Sequence, residues 1–135
     1  MFYLCYMMRK LFFALMLGAI ALTNYTCCKA GMGGKASITI SVLSDSKNPI
    51  YGAIVYIKYG QSTPPNNGIA GFDNHINTNN HSNTVTFSGL NCGTYYIYAT
   101  GYDSVLASPL SGGSPLSITH HNRNKAVTTN MYITP

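Results

Sequence analysis

One stretch near the middle of the chain, residues 84–103, constrains the fold more than any other. It reads TVTFSGLNCGTYYIYATGYD, with apolar and polar side chains alternating on both sides of a Ser-Gly-Leu-Asn-Cys-Gly segment. An alternation of period two that is rich in Val, Phe, Ile and Tyr is typical of a β-strand with one buried face. Glycines between two such runs indicate a turn. The stretch therefore predicts two antiparallel strands joined at a tight corner.

The same alternation recurs along the rest of the chain, and no segment has a helical period. It appears at residues 37–43 (SITISVL), 50–59 (IYGAIVYIKY) and 126–134 (AVTTNMYIT), and more briefly around Leu116 and Ile118. Short strands at this spacing predict an all-β fold, a single antiparallel Greek-key β-sandwich of six to seven strands. The residues expected to face its core include Ile38, Ile40, Val42, Ala53, Val55, Ile57, Leu90 and Tyr95.

Two segments have no usable periodicity and are predicted to be loops. Residues 104–114 end in Ser-Gly-Gly-Ser, and residues 60–83 are rich in Asn, Gly and Pro. Structureless loops longer than about 12–15 residues tend to be functional or disordered. The 60–83 loop is therefore the best candidate for a ligand surface, with Ile69 and Phe72 expected either to hold it down or to form a short strand.

The N-terminus has the features of an export signal. Two basic residues precede the apolar run LFFALMLGAIAL, which has the length of a signal-peptide core and is short for a membrane span. A cysteine that follows such a run can be acylated and anchor the protein. We expect a signal peptide over residues 1–26, lipidation at Cys27 (or Cys28), a flexible linker over 27–35 and the domain at 36–135. The alternatives are secretion after cleavage near Ala21 or Ala30, and an uncleaved anchor.

The remaining cysteine of the pair could meet Cys92 in a compartment that permits disulfides. The sequence nevertheless predicts that the 27–35 linker forms no disulfide with the domain. No cysteine spacing resembles a zinc site.

Charged residues make up only 8% of the chain, and neither Glu nor Trp occurs. Three isolated carboxylates, Asp45, Asp73 and Asp103, offer no pair for acid–base catalysis. The four histidines lack cysteine or carboxylate partners at ligand spacing, so we expect no metal, no cofactor and no enzymatic activity. The basic residues are scattered along the sequence, which disfavours nucleic-acid binding.

Three segments resemble the carboxypeptidase regulatory-like domain, the transthyretin-like or prealbumin-like sandwich also seen in Cna B-type repeats. Residues 49–57 (PIYGAIVYI) resemble its P-I-x-G-A-x-V segment, residues 86–95 (TFSGLNCGTY) its F-x-x-L-x-P-G-x-Y corner, and Gly101-Tyr102 the following G-Y. Cys92 stands where the family usually has Pro. The N-terminus resembles that of a Bacteroidetes-type lipoprotein. The resemblance implies a sandwich without a catalytic domain.

These observations lead to two functional expectations. The first is a non-enzymatic lipoprotein at the cell envelope, in the outer membrane or periplasm, whose sandwich is a structural or binding module. The alternative is a secreted glycan- or peptide-binding protein that uses the 60–83 loop and the outward face of Tyr96 and Tyr98. Tyr96, Tyr98 and Tyr102 form the candidate binding surface, with cross-strand packing as their other interpretation. Transthyretin-like hydroxyisourate hydrolases end in a Tyr-Arg-Gly-Ser motif, whereas this sequence ends in MYITP. The resemblance therefore disfavours hydrolase activity.

Overall fold

A computed structural model describes residues 28–135, and the expected signal peptide and Cys27 lie outside this range. Seven strands follow one another: β1 (Met32–Ser44), β2 (Ile54–Tyr59), β3 (Asn74–Asn77), β4 (Thr84–Leu90), β5 (Gly93–Asp103), β6 (Ser108–Ile118) and β7 (Ala126–Ile133). Single 3₁₀ turns occur at Gly68–Gly71 and His120–Asn122. Between residues 28 and 135, no helix has the length and apolar character that crossing a membrane requires.

The strands form two sheets that pack face to face as a sandwich. One sheet has the order β4-β1-β7 and the other β3-β2-β5-β6. The inward rows of both sheets alternate with exposed or half-buried residues, as the period-two pattern predicts, and every core residue expected from sequence is buried. Burying one large aliphatic side chain contributes about 1.5–3 kcal/mol, so these rows hold the two sheets together. The all-β sandwich of seven strands is confirmed.

One strand pair departs from the antiparallel arrangement. β1 and β7 pair in parallel, from Ser37 opposite Ala126 to Ser44 opposite Ile133. A parallel pair needs a long crossover between its strands. Here the rest of the sandwich lies between the two strands in sequence, so no crossover helix is required.

The prediction of a loop at residues 104–114 is wrong, because β6 is a strand from Ser108 onwards. Ser111 exchanges two backbone hydrogen bonds with Thr134, at 2.8 and 3.0 Å, on the side away from β5. Backbone groups alternate sides along a strand, so Pro109 and Pro115 also direct their nitrogens away from β5. Proline is tolerated at such positions because no ladder hydrogen bond is lost.

The segment expected to be a linker packs against the domain in the structure. Cys28 forms a disulfide with Cys92 across a Cα–Cα distance of 4.9 Å, contrary to the expectation of an unbonded tether. β1 begins at Met32, five residues before the predicted strand. Gly34 lies so close to β4 that a Cβ there would overlap the Leu90 carbonyl oxygen. Glycine is therefore needed here for close backbone approach, not for flexibility.

Hydrogen bonds reinforce this junction between the N-terminal segment and the β4–β5 corner. Asn91 donates from its backbone N–H to the Gly31 carbonyl at 2.9 Å, and from Nδ2 to the Met32 carbonyl at 3.0 Å. The buried Tyr95 hydroxyl donates to the Asn91 carbonyl at 2.6 Å and accepts from the Gly31 N–H at 3.2 Å. Burial raises the pKa of Tyr95, and its hydrogen bonds to Gly31 and Asn91 partly oppose this shift.

Candidate functional site

The outer face of the four-stranded sheet carries a row of aromatic side chains. Val55 and Ile57 of β2 and Ile97 of β5 point into the core, so their neighbours Tyr56, Tyr96 and Tyr98 point outwards. Tyr56 pairs directly with Tyr98 across the β2–β5 ladder, and their ring centroids are 6.2 Å apart. Strand register therefore places these rings side by side.

The segment at residues 60–73 folds over this face and adds a further ring. Phe72 stacks on Tyr98, with centroids 5.8 Å apart and planes inclined by 23°. The same ring lies 5.6 Å from Tyr56 and 6.4 Å from Tyr96. His75 of β3 lies 5.7 Å from Tyr56 on the other side. We call Tyr56, Phe72, His75, Tyr96 and Tyr98 the aromatic cluster.

Asp73 fixes the end of this segment to β2. Its backbone N–H donates to the Ile57 carbonyl at 3.0 Å, and its carboxylate accepts from Lys58 Nζ at 3.0 Å and from the Tyr59 N–H at 2.7 Å. Burial raises the pKa of Tyr59; the Asp73 charge adds to the rise, and a hydrogen bond with Asn74 opposes it. The position of Phe72 is thus set by the residue that follows it.

The 60–83 region contains more regular structure than a single loop. The short strand β3 follows directly after Asp73, and a 3₁₀ turn precedes Phe72. Of the two apolar residues expected to hold the region down, Phe72 packs on the sheet, whereas Ile69 is 52% exposed.

Two open grooves flank Phe72. The larger, about 520 Å³, is lined by Tyr56, Ile69, Ala70, Phe72, Asp73, Asn74 and His75. The smaller, about 220 Å³, is lined by Pro64, Pro65, Gly68, Ile69, Phe72 and Tyr98. Aromatic walls with a few polar groups at one rim are typical of small-molecule sites. The larger groove has this composition, with an imidazole, an amide and a carboxylate beside two rings.

The structure separates the three tyrosines predicted as a binding surface. Tyr98 lines the smaller groove. Tyr96 lies across β6, where a Cβ at Gly113 would overlap its hydroxyl, so it mainly packs on the edge strand. Tyr102 pairs with Pro109 further along the sheet and is 57% exposed. The described ring contacts of the cluster do not include Tyr102.

The binding surface predicted from the sequence does not include Tyr56, and it includes His75 only as an unnamed member of the 60–83 loop. Tyr56 lies on the predicted outward row of residues 50–59, so pairing that row with Tyr98 would have found it. His75 carries no such signal, because its position depends on β3, which falls inside the predicted loop. Of the two lipidation candidates, Cys28 is bonded to Cys92, and Cys27 lies outside the described residues.

Two of the three carboxylates have structural partners. The Asp73 carboxylate accepts from the Tyr59 N–H of β2. The Asp103 carboxylate accepts from the backbone N–H groups of Val105 and Leu106 at 2.8 and 3.1 Å, which closes the β5–β6 turn. Over residues 28–135, no three His, Cys, Asp or Glu side chains group in a way that could hold a metal ion.

Comparison of the chain with protein-family models, with curated proteins and with solved structures gives no match. The resemblance to the carboxypeptidase regulatory-like domain therefore stays a prediction from the short motifs.

Proposed function

We propose that the protein is a non-enzymatic, exported lipoprotein of the cell envelope whose β-sandwich binds a glycan through the aromatic cluster. The observation that carries this proposal is the pair of open grooves on either side of Phe72. Rings already in contact with one another need little reordering when a ligand binds, which lowers the entropic cost of association. The family resemblance supports the same role, since it implies a module without its own catalytic domain.

The mixed lining of the larger groove favours a sugar as its ligand. A sugar ring has an apolar C–H face that can lie on Tyr56 or Phe72, and hydroxyls at its edge that need polar partners. Asn74 and His75 provide amide and imidazole groups at that rim. A peptide ligand fits the smaller, mostly apolar groove with its two prolines, and is the second candidate.

Export is supported by the disulfide between Cys28 and Cys92. Such bonds persist in oxidising compartments and are rare in the cytosol. With Cys28 occupied, the lipid falls to Cys27, the neighbouring cysteine in the sequence. Secretion without a lipid is the alternative that uses the same binding face.

Binding is tested by a glycan array on the wild-type protein, followed by titration calorimetry with any hit. We expect Phe72→Ala and Tyr56→Ala, which each remove a ring that lines the larger groove, to weaken binding by about tenfold or more, which corresponds to about 1.4 kcal/mol. The matched control is Tyr132→Ala, which removes a tyrosine that is 46% exposed on the other sheet. No binding above background on the array, or an equal loss with the control, would reject the glycan proposal.

Anchoring is tested separately by palmitate labelling of the expressed precursor. We expect labelling to disappear with Cys27→Ser and to persist with Cys28→Ser, which removes only the disulfide partner. Labelling that is unchanged when both cysteines are replaced would reject the lipoprotein and favour the secreted alternative.

A further inference from the structure

Four cations that are scattered in the sequence lie at one end of the sandwich. Lys29 follows Cys28, and Lys35 lies in the first half of β1. Arg123 and Lys125 lie in the turn between β6 and β7. All four side chains are exposed. We call this group, around the Cys28–Cys92 disulfide, the basic end.

The strand register brings these residues together. The disulfide ties the start of the described chain to Cys92, immediately before β5. Gly93, the first residue of β5, pairs with Ile118, the last residue of β6, so the turn after β6 lies at the same end. The Ser37 N–H donates to the Lys125 carbonyl at 3.2 Å, which joins that turn to the start of β1.

Each of the two cations in the turn contacts a histidine imidazole. Arg123 Nη1 lies 2.6 Å from Nε2 of His120, and Lys125 Nζ lies 3.3 Å from Nε2 of His121. Neither contact is with a carboxylate, so neither one cancels the positive charge of the turn.

Two of the three acidic side chains lie at the opposite end. Asp45 follows the far end of β1 and Asp103 is the last residue of β5, with Lys47 beside them. The far ends of the two sheets meet, because Gly101 of β5 lies against Ile133, the partner of Ser44. The third and last acidic residue, Asp73, lies towards the basic end, because it accepts from the Tyr59 N–H and Tyr59 pairs with Tyr95 near the start of β5. Its ion pair with Lys58 offsets its charge there. The sandwich therefore has a positive end and a weakly negative opposite end.

We propose that the basic end docks on the anionic phospholipid headgroups of the membrane and sets the orientation of the sandwich there. This inference goes beyond the aromatic cluster and rests on the proposed lipidation at Cys27, the residue before Cys28. With the chain bonded to the domain at Cys28, no free tether separates the lipid from this surface. The four cations then lie near the headgroups, within reach of interactions that fall off over a Debye length of about 8–10 Å.

The test measures sedimentation of unlipidated Cys27→Ser protein, purified with its disulfide intact, with vesicles of phosphatidylcholine alone or mixed with phosphatidylglycerol. We expect binding only to the anionic vesicles, with affinity falling as salt rises. Lys35→Gln and Lys125→Gln should each weaken binding by about fivefold and together by about twenty-five-fold. Lys47→Gln removes the same charge from the opposite end and should leave binding almost unchanged.

Several outcomes would overturn the proposal. These are equal binding to neutral vesicles, no binding to anionic ones, or an equal loss with Lys47→Gln. Loss of binding with Val105→Ser/Leu106→Ser would instead place the contact at the exposed tip of the β5–β6 turn. Binding of a soluble anionic polysaccharide without vesicle binding would indicate a different partner. The variant used in this experiment has no Cys27, so its vesicle binding does not depend on lipidation. Palmitate labelling of the precursor tests the lipidation proposal separately.

Discussion

Two glycine-containing segments that were both predicted to be irregular have opposite roles in the structure. Residues 28–34 are held to the β4–β5 corner by a disulfide and by hydrogen bonds of 2.9 to 3.2 Å, with no room for a side chain at Gly34. Residues 60–73 cross the outer face of the other sheet and leave grooves of about 520 and 220 Å³ beside Phe72. The first segment closes the sandwich, whereas the second leaves ligand-sized volume on its surface.

The difference shows that glycine content alone does not reveal whether a segment is a tether. In residues 28–34 glycine permits close approach of two backbones, which a Cβ would prevent. In residues 60–73 proline and glycine shape a turn whose apolar side chains stay partly exposed. Changes at the N-terminal junction should therefore lower stability, and changes on the aromatic cluster should mainly lower affinity.

The largest expected effect is the loss of the disulfide. Cys92→Ser should lower the free energy of unfolding by about 3–4 kcal/mol, because the bond closes a long loop of the unfolded chain. Urea unfolding measures this loss, and wild-type protein in reductant should show the same one. Alkylation of Cys28 and Cys92 in the unreduced, purified protein, located by peptide mass spectrometry, would contradict the pairing.

The next effect probes the close approach at Gly34. Gly34→Ala should cost about 2–3 kcal/mol, since the added methyl overlaps the Leu90 carbonyl and the backbone must move. Lys35→Ala, at the next and exposed position, should change stability by less than about 0.5 kcal/mol. Equal effects of the two substitutions would mean that the segment does not pack as described.

A smaller effect concerns the Tyr95 hydroxyl. Tyr95→Phe should cost about 1–2 kcal/mol, because the Asn91 carbonyl and the Gly31 N–H lose a buried partner.

The same substitution should change how the free energy of unfolding depends on pH in alkaline solution. The raised pKa of Tyr95 means that the folded protein holds this proton more tightly than the unfolded chain does. The contribution is fully present below the unfolded pKa of about 10 and is lost as pH rises through the folded value. Urea midpoints above pH ~10 should thus fall less steeply in the variant than in Tyr132→Phe. Equal slopes would show that Tyr95 does not contribute.

The smallest expected effect lies beside the aromatic cluster. Lys58→Gln breaks an ion pair with Asp73 whose side chains are 23% and 32% exposed. Solvent screens such pairs, so the cost should be about 0.5 kcal/mol and should vanish at high salt. A loss above about 2 kcal/mol would contradict this, because an exposed ion pair alone cannot supply it, and would show that the attachment of residues 60–73 stabilises the sandwich.

Much of the core could be predicted because each inward row follows from local alternation. Ile38, Ile40 and Val42, with Leu90 and Tyr95 at the corner, needed only the period of two and the position of the glycines. The strand at 108–118 could not, since Pro109, Pro115 and the Gly-Gly pair look like loop residues. These residues fit in a sheet because the proline nitrogens point away from β5 and because the Tyr96 ring lies over Gly113.

The site was predictable only in part, for the same reason. Tyr96 and Tyr98 were assigned to an outward face, but the grooves depend on Phe72 being carried onto that face by Asp73 and β2. Likewise, the basic residues are scattered along the sequence, and only the register of β5 with β6 and of β1 with β7 brings four of them to one end.

By itself, the sequence determined an all-β chain, the inward rows of its strands and the corner between β4 and β5. These depend on residue periods and on glycine, which act over a few neighbouring positions. The tertiary structure alone decided the Cys28–Cys92 bond, the parallel pairing of β1 with β7, the aromatic cluster and the basic end. Each of these joins residues far apart in the chain, so each depends on how the strands pair and the sheets pack.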